Sequence, residues 1–201
     1  MKRITLIAGA MLFGLTFSGC SGVSNGTASP ADSSASGAAS SDGENRVDLG
    51  QPLTVQAGAL GSSARGAPKG NIVVTFQRLE FSNGIEDKAC GTGTMKPQGR
   101  WVIVFYSIKN ELNTQIQPSS QVAASLRLVD DKGRTWVNDD YGGTNCFLSA
   151  QVAEAHYDLA PETAIRAGSS GTTAIVFDAP PDASGLAIDW KLARVRVDLG
   201  H

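Results

Sequence analysis

The side chains that could bind a metal ion are few in this 201-residue chain, which has two histidines and three cysteines. His156 lies between Glu154 and Asp158, and at strand or helix spacing the three side chains could meet. A metal site needs several convergent ligands at defined spacing, and a histidine among acids is most often part of a solvated face. We therefore expect neither a metal site nor a cofactor.

Other patterns typical of catalysis are also missing from the sequence. The acid pairs at 130–131 and 139–140 lack the spaced acid-and-glycine loop of an EF-hand, so we interpret them as turn residues. The Gly-Ser-Ser-Gly run at 168–171 is one residue shorter than a nucleophile elbow. The Gly-Thr-Gly run at 91–93 lacks the later residues of a phosphate-binding loop. The sequence predicts a protein that is not an enzyme.

The amino terminus has the pattern of an export signal. Two basic residues precede an uncharged run at 4–17, which is too short for a permanent membrane-spanning helix. Gly19 and Cys20 follow the run, and this pattern resembles a bacterial lipoprotein signal, although Phe17 stands where that family prefers leucine. The resemblance implies removal of residues 1–19 and attachment of acyl chains such as palmitate at Cys20. An ordinary secretory leader is the alternative.

The segment after the leader predicts a spacer. Residues 20–46 hold the lipidated cysteine and a stretch rich in serine, glycine and alanine, which is too polar to form a core. We expect a disordered tether with a span of roughly 27 Å, in which serine and threonine could carry sugars. The protein would then be lipid-anchored on the extracytoplasmic face of the cell membrane. A formal charge of −2 without a basic cluster argues against binding nucleic acid.

The two remaining cysteines are expected to form a disulfide. An exported domain with two free cysteines most often pairs them, and here these are Cys90 and Cys146. They lie in two long connections, at 82–99 and 139–165, which the bridge would join. Two free thiols with a redox role are the alternative, although no Cys-x-x-Cys spacing supports it.

Residues 47–201 read as one all-β domain. Apolar and β-branched runs separated by Gly, Pro, Asn and Asp turns predict an antiparallel β-sandwich of about seven strands, at 53–57, 72–79, 101–108, 124–129, 135–137, 172–177 and 186–199. The run at 101–108 is apolar on both faces at its start, which is typical of a central strand between a core and a covering loop. The last run changes phase, which predicts a β-bulge near Ala193.

A short helix is predicted in the second long connection. Leu148, Val152, Ala155 and Leu159 recur at helical spacing, and Asn145 could cap the helix.

Four short motifs, in order, resemble a known family. They are Asn110 with its following glutamate, the strand and turn at 126–134, the turn at 166–171, and the strand end at 176–180. Their order resembles the immunoglobulin-like domain of unknown function in exported bacterial lipoproteins, and the secreted mycobacterial immunoprotective antigens have a similar sandwich. The resemblance implies an immunoglobulin-like fold in which Asn110 and Gly133 form turns and Phe177 lies in the core. It implies no catalytic residue.

The two long connections are the candidate binding loops, since long connections in compact domains are usually functional or disordered. The second carries Tyr141, Phe147, His156 and Tyr157, which we take as candidate binding residues. The predicted function is that of a non-catalytic binding or adhesion module for an envelope or extracellular protein or glycan. The loops could equally well only cap the open ends of the sheets.

A carrier of small hydrophobic ligands is the alternative function. It predicts a cavity between the sheets that is lined by Trp101, Phe105, Trp136 or Trp190.

Overall fold

In the computed structural model, the described residues are 45–60, 68–88, 93–138, 148–157, 163–191 and 193–201. Their strands are β1 (Asn45–Asp48), β2 (Pro52–Gln56), β3 (Asn71–Ser82), β4 (Ile85–Asp87), β5 (Gly93–Met95), β6 (Arg100–Asn110), β7 (Leu126–Val129), β8 (Thr135–Trp136), β9 (Ser170–Ala179), β10 (Ala187–Trp190) and β11 (Val195–Asp198). Two α-helices, α1 (Pro118–Gln121) and α2 (Leu148–Tyr157), and two short 3-10 helices, at Ala57–Leu60 and Ala123–Ser125, complete the described elements. In this part of the chain, no helix has the length and apolar character needed to span a bilayer.

The strands form a β-sandwich, which confirms the predicted fold class. One sheet has the order β1-β11-β10-β7-β8, and the other has the order β2-β3-β6-β9. Strands β4 and β5 form a separate hairpin. Pairing is antiparallel except between β1 and β11, which run parallel. All seven predicted strands are present; β1, β4 and β5 were not predicted, and the last predicted strand is divided in two.

Strand β6 is the centre of the molecule because both of its faces are buried. Val102, Val104 and Tyr106 belong to the main core between the two sheets. Trp101 and Phe105 alternate with them and belong to a second apolar cluster on the outer face of the four-stranded sheet. The prediction of a central strand with a core on one side and a cover on the other is confirmed.

The cover is formed by α2 and the β4–β5 hairpin. Leu148, Val152 and Ala153 of α2 are buried in the second cluster, while Ala155 is exposed. The Val176 backbone N–H of edge strand β9 donates a hydrogen bond to Ser149 Oγ at 3.1 Å, so the helix also covers part of that sheet edge. The helix is present as predicted; its proposed cap Asn145 and Leu159 lie outside the described residues.

The predicted bulge near Ala193 is wrong. The segment forms a hairpin, in which Ile188 pairs with Val197 and Trp190 pairs with Val195. Directly opposed residues of an antiparallel pair point to the same face, so the chain reversal explains the change of phase. The turn includes Arg194 with a φ of 52°.

Asn110 ends β6 and ties three segments together. Its side-chain amide donates to the carbonyls of Thr114 and Ile165, both at 2.9 Å. Its Oδ1 accepts a hydrogen bond from the Leu112 N–H at 3.0 Å. The side chain is fully buried, so each of these bonds replaces one that water would otherwise make. Asn110 is a turn residue as expected, and it also joins the sandwich to the loop before β9.

The β7–β8 turn is held by carboxylates. Asp130 accepts hydrogen bonds from the Arg134 Nε at 2.7 Å and from two backbone N–H groups of the turn. Burial alone would raise the pKa of Asp130, but the bonds from Arg134 outweigh it and lower the pKa. Hydrogen bonds from Lys132 and Arg134 lower the pKa of Asp182 to about 2. Gly133 supplies the positive φ of 76° that the turn requires, and Phe177 is buried in the core as expected.

Replacing Asn110→Asp tests the buried amide. At pH 7 the new carboxylate would face the two carbonyl oxygens of Thr114 and Ile165, so we expect a loss of about 2–4 kcal/mol in the free energy of unfolding. The folded state would raise the pKa of this carboxyl, so the loss should be smallest below about pH 4 and should grow as the pH rises.

Urea denaturation at pH 4 and pH 7 measures both effects. Asn113→Asp is the control, because exposed Asn113 only accepts a hydrogen bond through Oδ1, from the Lys69 N–H at 2.9 Å, and a carboxylate keeps that bond. Equal losses for both variants would contradict the assigned role of Asn110.

Candidate binding groove beside the covering helix

A groove of about 380 Å³ lies where the cover meets the sheet. Strands β3 and β6 form its floor, and α2 and the β4–β5 hairpin form its walls. Ile85, Ile103 and Val152 supply apolar surface inside it. Charged or titratable side chains also line it, and these are Glu80, Glu86, Lys88 and His156.

Gln151 fastens the hairpin to the helix. Its Oε1 accepts a hydrogen bond from the Lys88 backbone N–H at 2.7 Å, and its Nε2 donates to Asp87 Oδ1 at 3.5 Å. Asp87 is buried, and Ile85 packs in the second cluster. Gln151 therefore joins the two walls of the groove through hydrogen bonds.

Arg78 stiffens the floor next to the groove. A register shift in β3 between Phe76 and Arg78 precedes this region. The Arg78 guanidinium lies 3.9 Å from the centre of the Phe105 ring, donates a hydrogen bond to the Tyr157 hydroxyl and pairs with Glu80 at 2.8 Å. Stacking on an aromatic face and a charge-assisted bond together hold the arginine in one orientation.

His156 and Tyr157 both contact the same phenylalanine. The His156 ring centre is 5.0 Å from that of Phe105, with an interplanar angle of 76°. Tyr157 meets Phe105 at 5.7 Å and 67°. Edge-to-face contacts of this kind fix ring orientation, so the end of α2 is held firmly against the sheet.

The structure places two of the predicted binding residues, His156 and Tyr157, in or beside the groove. Tyr141 and Phe147 lie outside the described residues, as do Cys20, Cys90 and Cys146. No cluster of three or more His, Cys, Asp or Glu side chains in the described ranges is placed to hold a metal ion. The groove combines apolar surface with charged side chains of both signs, which suits noncovalent recognition.

Sequence reasoning missed Arg78, Glu80 and Gln151. The first two follow Phe76 along β3 in a region where a register shift changes which residues share a face, so a simple alternation does not place them. Gln151 could have been found, because it lies beside buried Val152 near the start of the predicted helix and faces the first long connection.

The four aromatic residues proposed for a carrier cavity do not line one space. Trp190 belongs to the main core and partly buried Trp136 packs against it, whereas Trp101 and Phe105 belong to the second cluster on the opposite face of β6. Trp190 and Phe105 are completely buried. These rings fill the two cores, so they give the carrier alternative no support.

The fold of the described chain is similar to that of several solved structures. One is the secreted protein MPT63 of Mycobacterium tuberculosis, with 12% identity, a TM-score of 0.46, and coverage of 72% of this chain and 88% of that chain. Another is an uncharacterized beta-sandwich protein of Clostridium difficile, with 11% identity, a TM-score of 0.45, and coverage of 77% and 91%. Neither a family model nor a curated protein matches this chain. The similarities concern the fold alone.

Replacing Arg78→Lys tests the stacked guanidinium. Lysine keeps the charge but loses the planar contact with Phe105, so we expect a loss of about 1–2 kcal/mol in stability. Amide hydrogen exchange in α2 should become faster, because Arg78 also binds Tyr157 at the end of that helix. The control is Arg166→Lys at an exposed position, which should change neither quantity. Unchanged exchange in α2 would show that the stack does not hold the helix.

Proposed function

We propose that this chain is an extracytoplasmic lipoprotein anchored through Cys20, whose immunoglobulin-like sandwich is a non-catalytic binding or adhesion module. Its partner is a protein or glycan of the envelope or of the extracellular surroundings. The binding site is the groove beside α2. The observation that carries the proposal is the construction of that groove, whose walls Gln151 joins by hydrogen bonds and whose floor adjoins the stacked Arg78.

Walls joined in this way matter because a preformed site loses less entropy when a partner binds. The apolar interior supplies area to bury, and Glu86 and Lys88 at the hairpin supply polar contacts that select the partner. The two walls of the groove, α2 and the β4–β5 hairpin, belong to the long connections. Binding residues usually lie in such connections on a rigid scaffold.

A disulfide between Cys90 and Cys146 fits the same picture. The hydrogen bond from the Lys88 N–H to Gln151 Oε1 brings two segments of the chain together. In the sequence, Cys90 follows Lys88 closely and Cys146 precedes Gln151 closely. Closing a loop of this length stabilises by about 4 kcal/mol from loop-closure entropy. The bridge would reinforce the docking of the hairpin on the helix.

Mass spectrometry of the protein extracted from its own membrane tests the anchor and the bridge. We expect a mature chain that begins at acylated Cys20 and, without reduction, one peptide pair joined through Cys90 and Cys146. Cys20→Ser should abolish acylation, and Ser21→Ala should leave it intact. An unmodified amino terminus would contradict the anchor, and free thiols would contradict the bridge.

Photo-crosslinking in the native envelope tests the groove itself. A photoreactive residue in place of exposed Ala155, which lines the groove, should give discrete adducts, and one in place of exposed Ser120 on α1 should not. Removing the charges of Glu86 and Lys88 with alanine should lower the adduct yield at least threefold.

The matched control removes an ion pair elsewhere on the surface. Lys109 Nζ and Glu111 Oε1 form an ion pair 2.6 Å long, and neither residue lines the groove. The double alanine variant should therefore leave the yield unchanged. Absence of adducts from position 155, or the same adducts from both positions, would overturn the assignment of the groove.

A further inference from the structure

Strand β2 presents backbone hydrogen-bonding groups at an open sheet edge. It is the terminal strand of the four-stranded sheet, and β3 is its only described strand partner. The Ala57 N–H donates to the Gly70 carbonyl at 3.1 Å, in register with the β2–β3 ladder. Along an antiparallel pair, every second residue of a strand forms its backbone hydrogen bonds to the partner strand. Because Ala57 bonds to the β3 side, Val55 and Leu53 do so as well. The N–H and C=O groups of Thr54 and Gln56 therefore point away from it.

Among the described residues, this edge has little of the usual protection against pairing with another strand. Natural proteins blunt edge strands with charges, covering elements or very short strands. Strand β8 has two residues, β1 carries Arg46 and Asp48, and Ser149 covers part of β9. The β2 sequence Pro-Leu-Thr-Val-Gln contains no charge. Only its first residue, Pro52, limits pairing, since proline has no N–H to donate.

A second groove, of about 480 Å³, runs along β2. All five residues of β2 line one side, and Val47, Ala193 and Val195 provide apolar surface on the other. The groove is therefore long enough to follow the full strand, with backbone groups on one wall and side chains on the opposite wall.

Of the residues that line this groove, Arg194 is charged and the others are uncharged. It is also the one described non-glycine residue with a positive φ, at 52°. A left-handed backbone at a non-glycine residue costs free energy and is concentrated at ligand-binding positions. A cation held at the side of an uncharged groove favours an anionic group on the molecule that occupies it.

We propose that the β2 edge binds an extended peptide segment carrying a carboxylate, which adds to the sheet as a further strand. The peptide pairs with the N–H and C=O groups of Thr54 and Gln56, packs apolar side chains against Val47 and Val195, and places its carboxylate on Arg194. Strand addition of this kind draws affinity from main-chain bonds and specificity from the neighbouring pocket. This site is distinct from the groove beside α2.

Self-association through β2 fits less well. Two copies paired about Thr54 would set each Pro52 opposite the Gln56 of the other copy. Each proline would then leave one glutamine carbonyl without a donor. A peptide can end before Pro52 and avoid this loss.

The test measures the fluorescence anisotropy of a labelled Thr-Val-Thr-Val-Glu peptide titrated with the full chain. Every peptide used carries a C-terminal amide, so the glutamate side chain supplies the carboxylate under test. Thr54→Pro removes the outward N–H but no bond to β3, and it should weaken binding at least tenfold. Thr54→Val keeps the N–H and should bind as the unaltered chain does. Equal binding by the proline variant and the unaltered chain would overturn the proposal.

The carboxylate is tested separately at position 194. Arg194→Asn tolerates the left-handed backbone and should weaken binding of the glutamate peptide about tenfold, to the level of a Thr-Val-Thr-Val-Gln peptide. Arg194→Lys should keep the preference for glutamate. Equal affinity of the unaltered chain for the two peptides would overturn the role of Arg194.

Hydrogen exchange of the unaltered chain gives a readout that does not depend on any variant folding. Peptide should slow exchange at the Thr54 and Gln56 amides and leave Val55, which already bonds to β3, unchanged. Absence of slowing would overturn strand addition. Slowing that depends on protein concentration without peptide would instead show that a second copy occupies the edge.

Discussion

The burial of β6 on both faces is the constraint on which the rest of the structure depends. Between two sheets, one face of a strand can enter the core while the other meets water. Here the outer face carries Trp101, Ile103 and Phe105, and leaving such side chains exposed would cost about 1.5–3 kcal/mol each. The sandwich therefore needs a third layer, which α2 and the β4–β5 hairpin supply.

Polar groups lie at the margin of the cover. Arg78 stacks on Phe105 at one margin of the cover. Its guanidinium forms an ion pair with Glu80 and donates a hydrogen bond to the Tyr157 hydroxyl. The groove occupies the remaining gap between helix and hairpin. The proposed binding groove and the burial of the outer face of β6 thus arise from the same insertions.

Features with a local cause could be predicted from the sequence, and features with a distant cause could not. The two-sided apolar pattern of β6 and the spacing of α2 are visible within a few residues, and the turn at Asn110 is implied by a short motif of the family resemblance. The β10–β11 hairpin was misjudged because a bulge and a chain reversal produce the same change of phase. The place of Arg78 depends on a register shift and on Phe105, to which no local pattern connects it.

The third layer also makes the two sides of the sandwich unequal. On one side α2 reaches over β9, where Ser149 bonds to the Val176 N–H, and the neighbouring edge strand β8 is only two residues long. On the other side β1 and β2 end the two sheets, and the described chain adds no element outside β2. The described chain therefore covers part of the edge at β9 and places no covering element outside β2. The two proposed recognition surfaces follow from this asymmetry: one lies between side chains of the cover, and the other lies along the backbone of β2.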